Sequence, residues 1–349
     1  MEKVYIAAGG TGGHINAALS VGEEFSSDFD VHYVSGLRYL DIKLFVNVDV
    51  THIKSQPLRT KNPIKLSLNL LKNFYSFFQL YWKFLTNRPK AVIGAGGYVC
   101  GPTLMAAKLL LIPIFIIEQN AVMGLTNRLL AKVANLIFLN FKNTKGLEAT
   151  DKKIRVVGNP IRREIQFPKT LESNTLNILV FGGSLGAAQI NEVIFQIIER
   201  GFEFPVKIVH QVGKDGLKNI QVPEGIAYEQ LEYIDDMQQA YANSHIIIAR
   251  SGASTVSELR VVKRPTIIIP FPHATDNHQY YNALNLKEEN LFPVEILDYN
   301  KSVDELSKEV YDALIRLRNA RDWERVSASS ETPAAELIKN EILSYVRNK

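Results

Sequence analysis

Short apolar runs alternate along the chain with longer segments of helical periodicity. The runs typical of buried strands are Val4–Ala8, Val31–Ser35, Ala91–Gly94, Pro113–Glu118 and Leu136–Phe141 in the first half, and Asn177–Phe181, Lys207–Val212, Ile246–Ala249 and Thr266–Pro270 in the second. Regular alternation of such runs with helical segments predicts an α/β protein, in which parallel sheets are covered by helices on both faces.

The two halves of the chain begin with the same pattern. A predicted strand leads into Gly9-Gly10-Thr11-Gly12-Gly13 in the first half and into Gly182-Gly183-Ser184-Leu185-Gly186 in the second, and a helical segment follows each. This is the first βα unit of a doubly wound domain. We therefore predict two tandem Rossmann-like domains, residues 1–165 and 166–349, with a cleft between them. The sequence from about Ser302 to Lys349 predicts two or three helices. The last of them can return to pack on the first domain.

Both glycine loops favour an anionic ligand. Glycines at a strand-to-helix turn let backbone N–H groups approach an anion, and the helix N-terminus adds partial positive charge. The first loop is not G-x-G-x-x-G, because Ile15 occupies the last position, and the chain contains no G-x-x-x-x-G-K-[ST]. Phosphate or diphosphate is the natural ligand, although a turn needed only for packing would look the same.

Polar side chains follow other predicted strands. Glu118-Gln119-Asn120 comes after one apolar run, Arg250–Glu258 after another, and the third glycine cluster, Gly94–Pro102, after a third. Ser251, Ser254 and Thr255 can cap a helix and offer hydroxyl groups to phosphate. Glu258 can either cap locally or bind the vicinal hydroxyls of a ribose. His273–Gln279 has no accompanying cysteines or ordered carboxylates, so we predict no metal site.

The composition indicates the cellular compartment and shows an uneven distribution of charge. Apolar residues make up 46% of the 349 residues and Cys100 is the one cysteine, which indicates a globular protein of a reducing compartment. We see no secretory signal and no membrane-spanning run. Residues 1–158 contain 19 Lys and Arg against 10 Asp and Glu, whereas residues 159–349 contain 21 against 26. A basic first half indicates a polyanionic partner or chance surface charge.

The segment Lys61–Lys90 is the centre of this basic half. It contains no acid, and it combines lysines with aromatic residues. The apolar positions Ile64, Leu68, Leu71, Tyr75 and Phe78 form one helical stripe that can face the core, with Phe74, Phe77, Tyr81 and Trp82 partly off it. Aromatic side chains edged by lysines suit an anionic membrane surface. An ordinary core helix is the alternative; we predict no nucleic-acid partner, because no RNA-binding signature is present.

Taken together, these motifs resemble the MurG family of N-acetylglucosaminyltransferases. The resemblance is carried by several blocks in family order: Gly9–His14, Gly96–Pro102, Glu118–Asn127, Val157–Arg162, Gly182–Gly186, Ile234–Met237, Arg250–Glu258 and Pro270–Ala283. It implies a GT-B fold and an inverting transfer from UDP-N-acetylglucosamine (UDP-GlcNAc) that makes a β-1,4 linkage without cofactor or metal. The implied acceptor is undecaprenyl-pyrophosphoryl-muramoyl-pentapeptide (lipid I), the product is lipid II for peptidoglycan synthesis, and the implied place is the cytoplasmic face of the cell membrane, as a peripheral protein.

The resemblance also implies site residues by position. The residues implied to hold UDP-GlcNAc are Thr11, Gly12, Gly13, Asn120, Arg162, Ser184, Ile234, Ala253, Ser254, Thr255, Val256, Ser257, Glu258 and Gln279. Ile234 would contact uracil through its backbone, Glu258 the ribose, and Asn120 and Gln279 the sugar. His14 is the first candidate for the general base, because an unperturbed imidazole can take up a proton near neutral pH, and Glu118 is the second. His14 could instead orient its loop or bind the pyrophosphate of the acceptor.

Three departures from the family pattern lie in the matched blocks or next to them. Asn16-Ala17 replaces an aromatic residue and a proline, Ile117 replaces a histidine, and Leu185 replaces a glutamine. Two other functions stay open on the sequence: a GT-B UDP-sugar transferase for another lipid or small acceptor, and a non-catalytic binding homologue. The second would be expected to lose Glu258, Gln279 or the glycines, and all are present.

Overall fold

The computed structural model describes residues 1–147, 151–169, 171–183, 186–321, 327–328 and 332–347. Two compact units divide the chain. The first comprises Met1–Arg162 with Glu331–Lys349, and the second comprises Arg163–Ser330.

The first unit is built on a parallel sheet. Its strands are β1 (Lys3–Ala7), β2 (Asp30–Ser35), β3 (Val50–His52), β4 (Ala91–Gly94), β5 (Ile114–Glu118), β6 (Leu136–Leu139) and β7 (Ile154–Val156). Within the described residues they lie in the order β3-β2-β1-β4-β5-β6-β7. The central strands β4, β5 and β6 are buried along their whole length, as apolar strands covered on both faces must be.

Helices cover both faces of this sheet. They are α1 (Gly12–Phe25), α2 (Tyr39–Leu44), α3 (Pro63–Thr86), α4 (Cys100–Leu109), α5 (Leu125–Ala131) and, from the far end of the sequence, α11 (Ala334–Arg347). Ile338 and Ile342 of α11 are buried in the same apolar cluster as Ile15 and Ala18 of α1. The last helix therefore packs on the first unit.

The second unit repeats the architecture with a smaller sheet. Its strands are β8 (Leu176–Phe181), β9 (Val206–Gln211), β10 (Ile226–Leu231), β11 (Ile246–Ala249), β12 (Thr266–Ile268) and β13 (Val294–Ile296), and its helices are α6 (Ala188–Arg200), α7 (Met237–Ala242), α8 (Ala253–Val262), α9 (His278–Glu288) and α10 (Val303–Ala320). The strands that the structure describes here are parallel, in the order β10-β9-β8-β11-β12-β13. Ile, Val and Leu side chains from the sheet, α6 and α10 form the core.

All strands predicted from the apolar runs are confirmed to within two residues at each end. The strands β3, β7, β10 and β13 were not predicted. Each is an edge strand of its sheet as described, and β3, β7 and β13 have three residues each. Edge strands are only partly covered, so their sequences need no continuous apolar run.

The predicted orientation of α3 is wrong. Ile64, Leu71 and Tyr75 of the expected core stripe are 73%, 66% and 57% exposed, whereas Asn69, Ser76, Leu80 and Phe84 are buried. The core face accepts polar residues because their hydrogen bonds are satisfied: Asn69 Nδ2 donates to the Pro57 carbonyl at 2.7 Å. The helix thus presents an apolar stripe to the outside. None of the helices in the described ranges has the length and apolar character needed to cross a bilayer.

Candidate active site

The first glycine loop connects β1 to α1. Gly10 has a φ of +90°, which favours glycine, and its N–H donates to Asp41 Oδ1 at 2.7 Å. Thr11 caps α1, and its hydroxyl accepts from the N–H of His14 at 3.4 Å. Gly12 and Gly13 form the first turn of this 14-residue helix. The N–H groups of that turn make the loop suited to an anion.

The buried side chain of Asp41 holds this loop by hydrogen bonds. Its role was not predicted from the sequence. Its side chain is 0% exposed, and its second oxygen accepts from the Tyr98 hydroxyl at 2.6 Å. The Arg38 guanidinium lies 4.7 Å from the centre of the Tyr98 ring. Burial, and then the bond to Asp41, raise the pKa of Tyr98, so its hydroxyl stays a donor. Asp41 therefore joins the first and third glycine clusters; a single acid in a helix carries no sequence motif for this.

His14 lies where the same two clusters meet. Its Nδ1 is 3.3 Å from the Gly9 carbonyl oxygen. A Cβ atom on Gly96 would lie 2.5 Å from Cδ2 of the His14 ring, so the Gly96 position requires glycine. The half-buried imidazole is thus held by backbone on two sides.

Glu118 is buried, with an exposure of 3%, and its carboxylate bonds within its own loop. One oxygen accepts from the N–H of Asn120 at 3.0 Å. The other accepts from the N–H of Gly124 and from Asn127 Nδ2, both at 3.0 Å. Burial raises the pKa of Glu118, and these hydrogen bonds oppose the rise. The geometry gives Glu118 the role of shaping the loop that carries Asn120.

The second glycine loop follows β8, and its predicted ligand Ser184 and its neighbour Leu185 lie outside the described residues. Gly183 and Gly186 on either side have φ values of +97° and +75°. Gln211 at the end of β9 donates through Nε2 to the Gly183 carbonyl at 2.7 Å. Its Oε1 accepts from the N–H of Ile234 at 2.9 Å. The backbone N–H of Ile234 is thus engaged in this structure.

The segment Ala253–Glu258 forms the first turns of α8. Gly252 is its N-cap, the Ser251 hydroxyl donates to the Gln279 carbonyl at 2.7 Å, and Ser254 and Thr255 lie inside the helix. The predicted capping role of these three residues is therefore wrong. Ser254 and Thr255 are partly exposed on the first turn. Val256 and Ser257 are buried, and the Ser257 hydroxyl donates to the Ala253 carbonyl at 2.8 Å. The Val256 N–H also donates within the helix, to the Gly252 carbonyl at 2.9 Å.

Glu258 is 7% exposed and oriented by a neighbour from α7. Its Oε2 accepts from the Tyr241 hydroxyl at 2.8 Å, and Tyr241 is itself fully buried. A carboxylate held in this way is a preorganised acceptor for hydroxyl groups.

The loop after β12 is fixed by Arg250 and Gln279. The buried Arg250 guanidinium donates to the Ile269 and Pro270 carbonyls at 2.8 and 2.7 Å, and burial lowers its pKa to about 10. Gln279 Oε1 accepts from the Phe271 N–H at 3.0 Å, so its amide nitrogen is the end left for a ligand. Within the described ranges, no three His, Cys, Asp or Glu side chains are grouped to hold a metal ion.

The predicted residues thus fall into two sets. Thr11, Gly12, Gly13, His14, Glu118 and Asn120 lie at the carboxyl edge of the first sheet, where Gln119 Nε2 donates to the Ala95 carbonyl at 2.9 Å beside Gly96. Ile234, the start of α8 and Gln279 lie at the same edge of the second sheet. Arg162 is the last residue of the first segment of the first unit.

Two family models match the chain. The glycosyltransferase family 28 N-terminal domain matches residues 4–139, and the glycosyltransferase family 28 C-terminal domain matches residues 177–340.

Named relatives extend the comparison over most of the chain. The UDP-N-acetylglucosamine–N-acetylmuramyl-(pentapeptide) pyrophosphoryl-undecaprenol N-acetylglucosamine transferase of Shewanella sp. (strain ANA-3) is 36% identical, over 87% of this chain and 88% of its own. The enzyme of that name from Myxococcus xanthus is 35% identical, over 81% and 77%. The structure also superposes on the crystal structure of Acinetobacter baumannii MurG. The match covers 100% of each chain, with a TM-score of 0.78 and 26% sequence identity. The chain therefore has the GT-B fold and belongs to glycosyltransferase family 28 and, within it, to the MurG family.

Proposed function

We propose that the chain transfers N-acetylglucosamine from UDP-GlcNAc to lipid I and so forms lipid II. One observation carries the donor side: the oriented carboxylate of Glu258 lies in the same helix as the N–H groups of its first turn. These two features suit the ribose and the diphosphate of one UDP-sugar. The acceptor side is supported by the relatives at 34–36% identity, whose names give N-acetylmuramyl-(pentapeptide) pyrophosphoryl-undecaprenol as the acceptor.

The reaction we propose is a single displacement with inversion. The acceptor hydroxyl oxygen attacks C1 of the sugar, the bond from C1 to the UDP oxygen breaks, and the hydroxyl proton passes to a base. His14 is the proposed base, because both oxygens of Glu118 already accept hydrogen bonds. Ser184, Arg162 and the first turn of α8 would stabilise the charge on the leaving UDP. With its N–H engaged by Gln211, Ile234 would accept from uracil N3–H through its carbonyl.

A transfer assay with competing acceptors tests this function. We expect GlcNAc transfer from UDP-GlcNAc to lipid I, little transfer to a diacylglycerol, and the same rate in EDTA. Equal transfer to both lipids would favour a transferase of broader acceptor range. UDP binding without transfer to any acceptor would favour the non-catalytic alternative.

Removing the Glu258 carboxylate should weaken UDP binding. Glu258→Ala loses a charge-assisted hydrogen-bond pair, so we expect a cost of about 1–3 kcal/mol, which is roughly 5- to 150-fold in Kd. Tyr241→Phe removes only the hydroxyl that orients the carboxylate and should cost less. Calorimetry measures both, with the exposed Glu224→Ala in the same unit as a charge-matched control. An unchanged Kd in Glu258→Ala would exclude Glu258 from the nucleotide site.

We also propose that the protein acts at the cytoplasmic face of the cell membrane and that α3 is the contact surface. Exposed apolar side chains run along it, with exposed lysines at its start and middle: Ile64, Leu68, Leu71, Phe74, Tyr75, Phe78 and Trp82, with Lys61, Lys65 and Lys72. A lipid-linked acceptor stays in the bilayer, so its enzyme must reach the surface. Apolar side chains can insert into the membrane interface, and lysines are attracted to anionic lipid headgroups, so this surface suits an anionic membrane.

A further inference from the structure

Gln211 lies between two loops of the nucleotide site. It is the last residue of β9, which pairs with β8 through Phe181 and with β10 through Leu231. β8 leads into the second glycine loop, and β10 leads into the segment that contains Ile234. The Gln211 side chain is 4% exposed, so its polar atoms depend on protein partners.

The amide of Gln211 joins these two loops directly. Its nitrogen donates to the Gly183 carbonyl at 2.7 Å, and its oxygen accepts from the Ile234 N–H at 2.9 Å. Only one orientation of an amide satisfies a carbonyl on one side and an N–H on the other. The following residue adds a second anchor, because the Val212 carbonyl accepts from Asn191 Nδ2 at 2.9 Å. The end of β9 therefore holds one described peptide of each loop, that of Gly183 and that of Ile234.

We infer that Gln211 is a positioning residue that couples the base-binding and diphosphate-binding parts of the nucleotide site. The inference rests on the proposed function, since it assigns uracil to Ile234 and the diphosphate to the second glycine loop. Gln211 acts through backbone groups: it holds the Ile234 peptide for the base and the Gly183 peptide for the diphosphate. Holding these two peptides in place before binding reduces the ordering cost of binding.

Two substitutions separate the two hydrogen bonds. Gln211→Met keeps the length of the side chain and removes both bonds. Gln211→Glu keeps an acceptor for the Ile234 N–H, but its carboxylate cannot donate to the Gly183 carbonyl. The chain offers a matched control on the neighbouring strand: Gln230 donates to the Lys218 carbonyl at 2.7 Å and accepts from the Lys218 N–H at 3.0 Å. Gln230→Met removes the same pair of bonds away from both loops.

Calorimetric Kd values for UDP, CDP and uridine, with thermal unfolding of each variant, test the inference. One hydrogen bond corresponds to about two- to tenfold in affinity. We expect Gln211→Met to bind UDP about tenfold more weakly and to lose at least about threefold of its preference for UDP over CDP. Gln211→Glu should keep that preference within about twofold but lose at least about threefold of the preference for UDP over uridine. Gln230→Met should keep both ratios.

The outcomes are distinct. If Gln211→Met keeps both ratios, as the control does, Gln211 has only a structural role and the inference is overturned. If Gln211→Met does not fold, Gln211→Glu decides alone, and unchanged preference for UDP over uridine overturns the inference. A wild-type chain that binds UDP no better than CDP would instead overturn the proposed donor, and the inference with it.

Discussion

Replacing His14 by alanine is expected to lower turnover by about 10²–10⁴-fold, the usual contribution of a general base. The affinity for UDP-GlcNAc should change by less than about threefold, because the residues proposed for the nucleotide lie mainly in the second unit. His14 is held against the Gly9 carbonyl and Gly96, so its loss removes a proton acceptor with a fixed position. Steady-state rates and calorimetry on one preparation measure the two quantities.

His52→Ala is a matched control for this variant. The His52 ring also lies against a backbone carbonyl of the first unit, with Nδ1 2.7 Å from the Gly36 oxygen, but it is outside the glycine loop. Its turnover should stay within about twofold of wild type. Near-normal turnover in His14→Ala would remove His14 from the mechanism.

Glu118→Gln then tests the rival base. Its amide NH₂ would face N–H donors that the carboxylate now satisfies, so we expect a lower Tm from a cost of about 1–3 kcal/mol. Loss of turnover at an unchanged Tm would make Glu118 the base.

The sheet and the glycine loops could be predicted because their signals are local. A buried parallel strand needs a continuous apolar run, and a turn such as that at Gly10, with its φ of +90°, needs glycine. Gly9–Gly13 and Gly182–Gly186 therefore located the carboxyl edges of both sheets.

The supporting residues could not be predicted because they act over long sequence distances. Asp41 bonds to Gly10, 31 residues away, and to Tyr98, 57 residues away. Gln211 joins Gly183, 28 residues before it, to Ile234, 23 residues after it. A single Asp or Gln at such a place has no motif, since its role exists only once the strands are assembled.

The orientation of α3 was predicted wrongly for a different reason. Apolar residues occur around most of this helix, so periodicity does not say which side is buried. The core side contains Asn69 and Ser76, whose polar groups bond to nearby backbone carbonyls. Lys83 also turns inward: its ammonium group donates to Thr51 Oγ1 at 2.6 Å and lies 3.1 Å from His32 Nε2. Lys83 and the half-buried Phe77 are therefore poor positions for testing the outer face.

Exposed positions on α3 give a sharper test of the membrane surface. The variant combines Lys65→Glu, Lys72→Glu, Phe74→Ser and Trp82→Ser, all at exposed side chains. A control in the second unit has the same change of charge and also replaces two apolar side chains: Lys207→Glu, Lys287→Glu, Leu217→Ser and Leu291→Ser, all exposed. Co-sedimentation with vesicles that contain a fixed fraction of anionic phospholipid compares the two proteins.

We expect the α3 variant to be released from anionic vesicles and the control to stay bound. Each basic residue near an anionic surface is worth about 1 kcal/mol, so losing Lys65 and Lys72 alone costs about 2 kcal/mol, or roughly 30-fold in partitioning. The added glutamates and the lost aromatic contacts increase the effect. Wild-type binding should weaken as salt rises, because the attraction falls off within a Debye length. UDP binding should survive in both variants, since the proposed nucleotide residues lie elsewhere. If the folded α3 variant sediments like wild type, α3 is not the membrane surface.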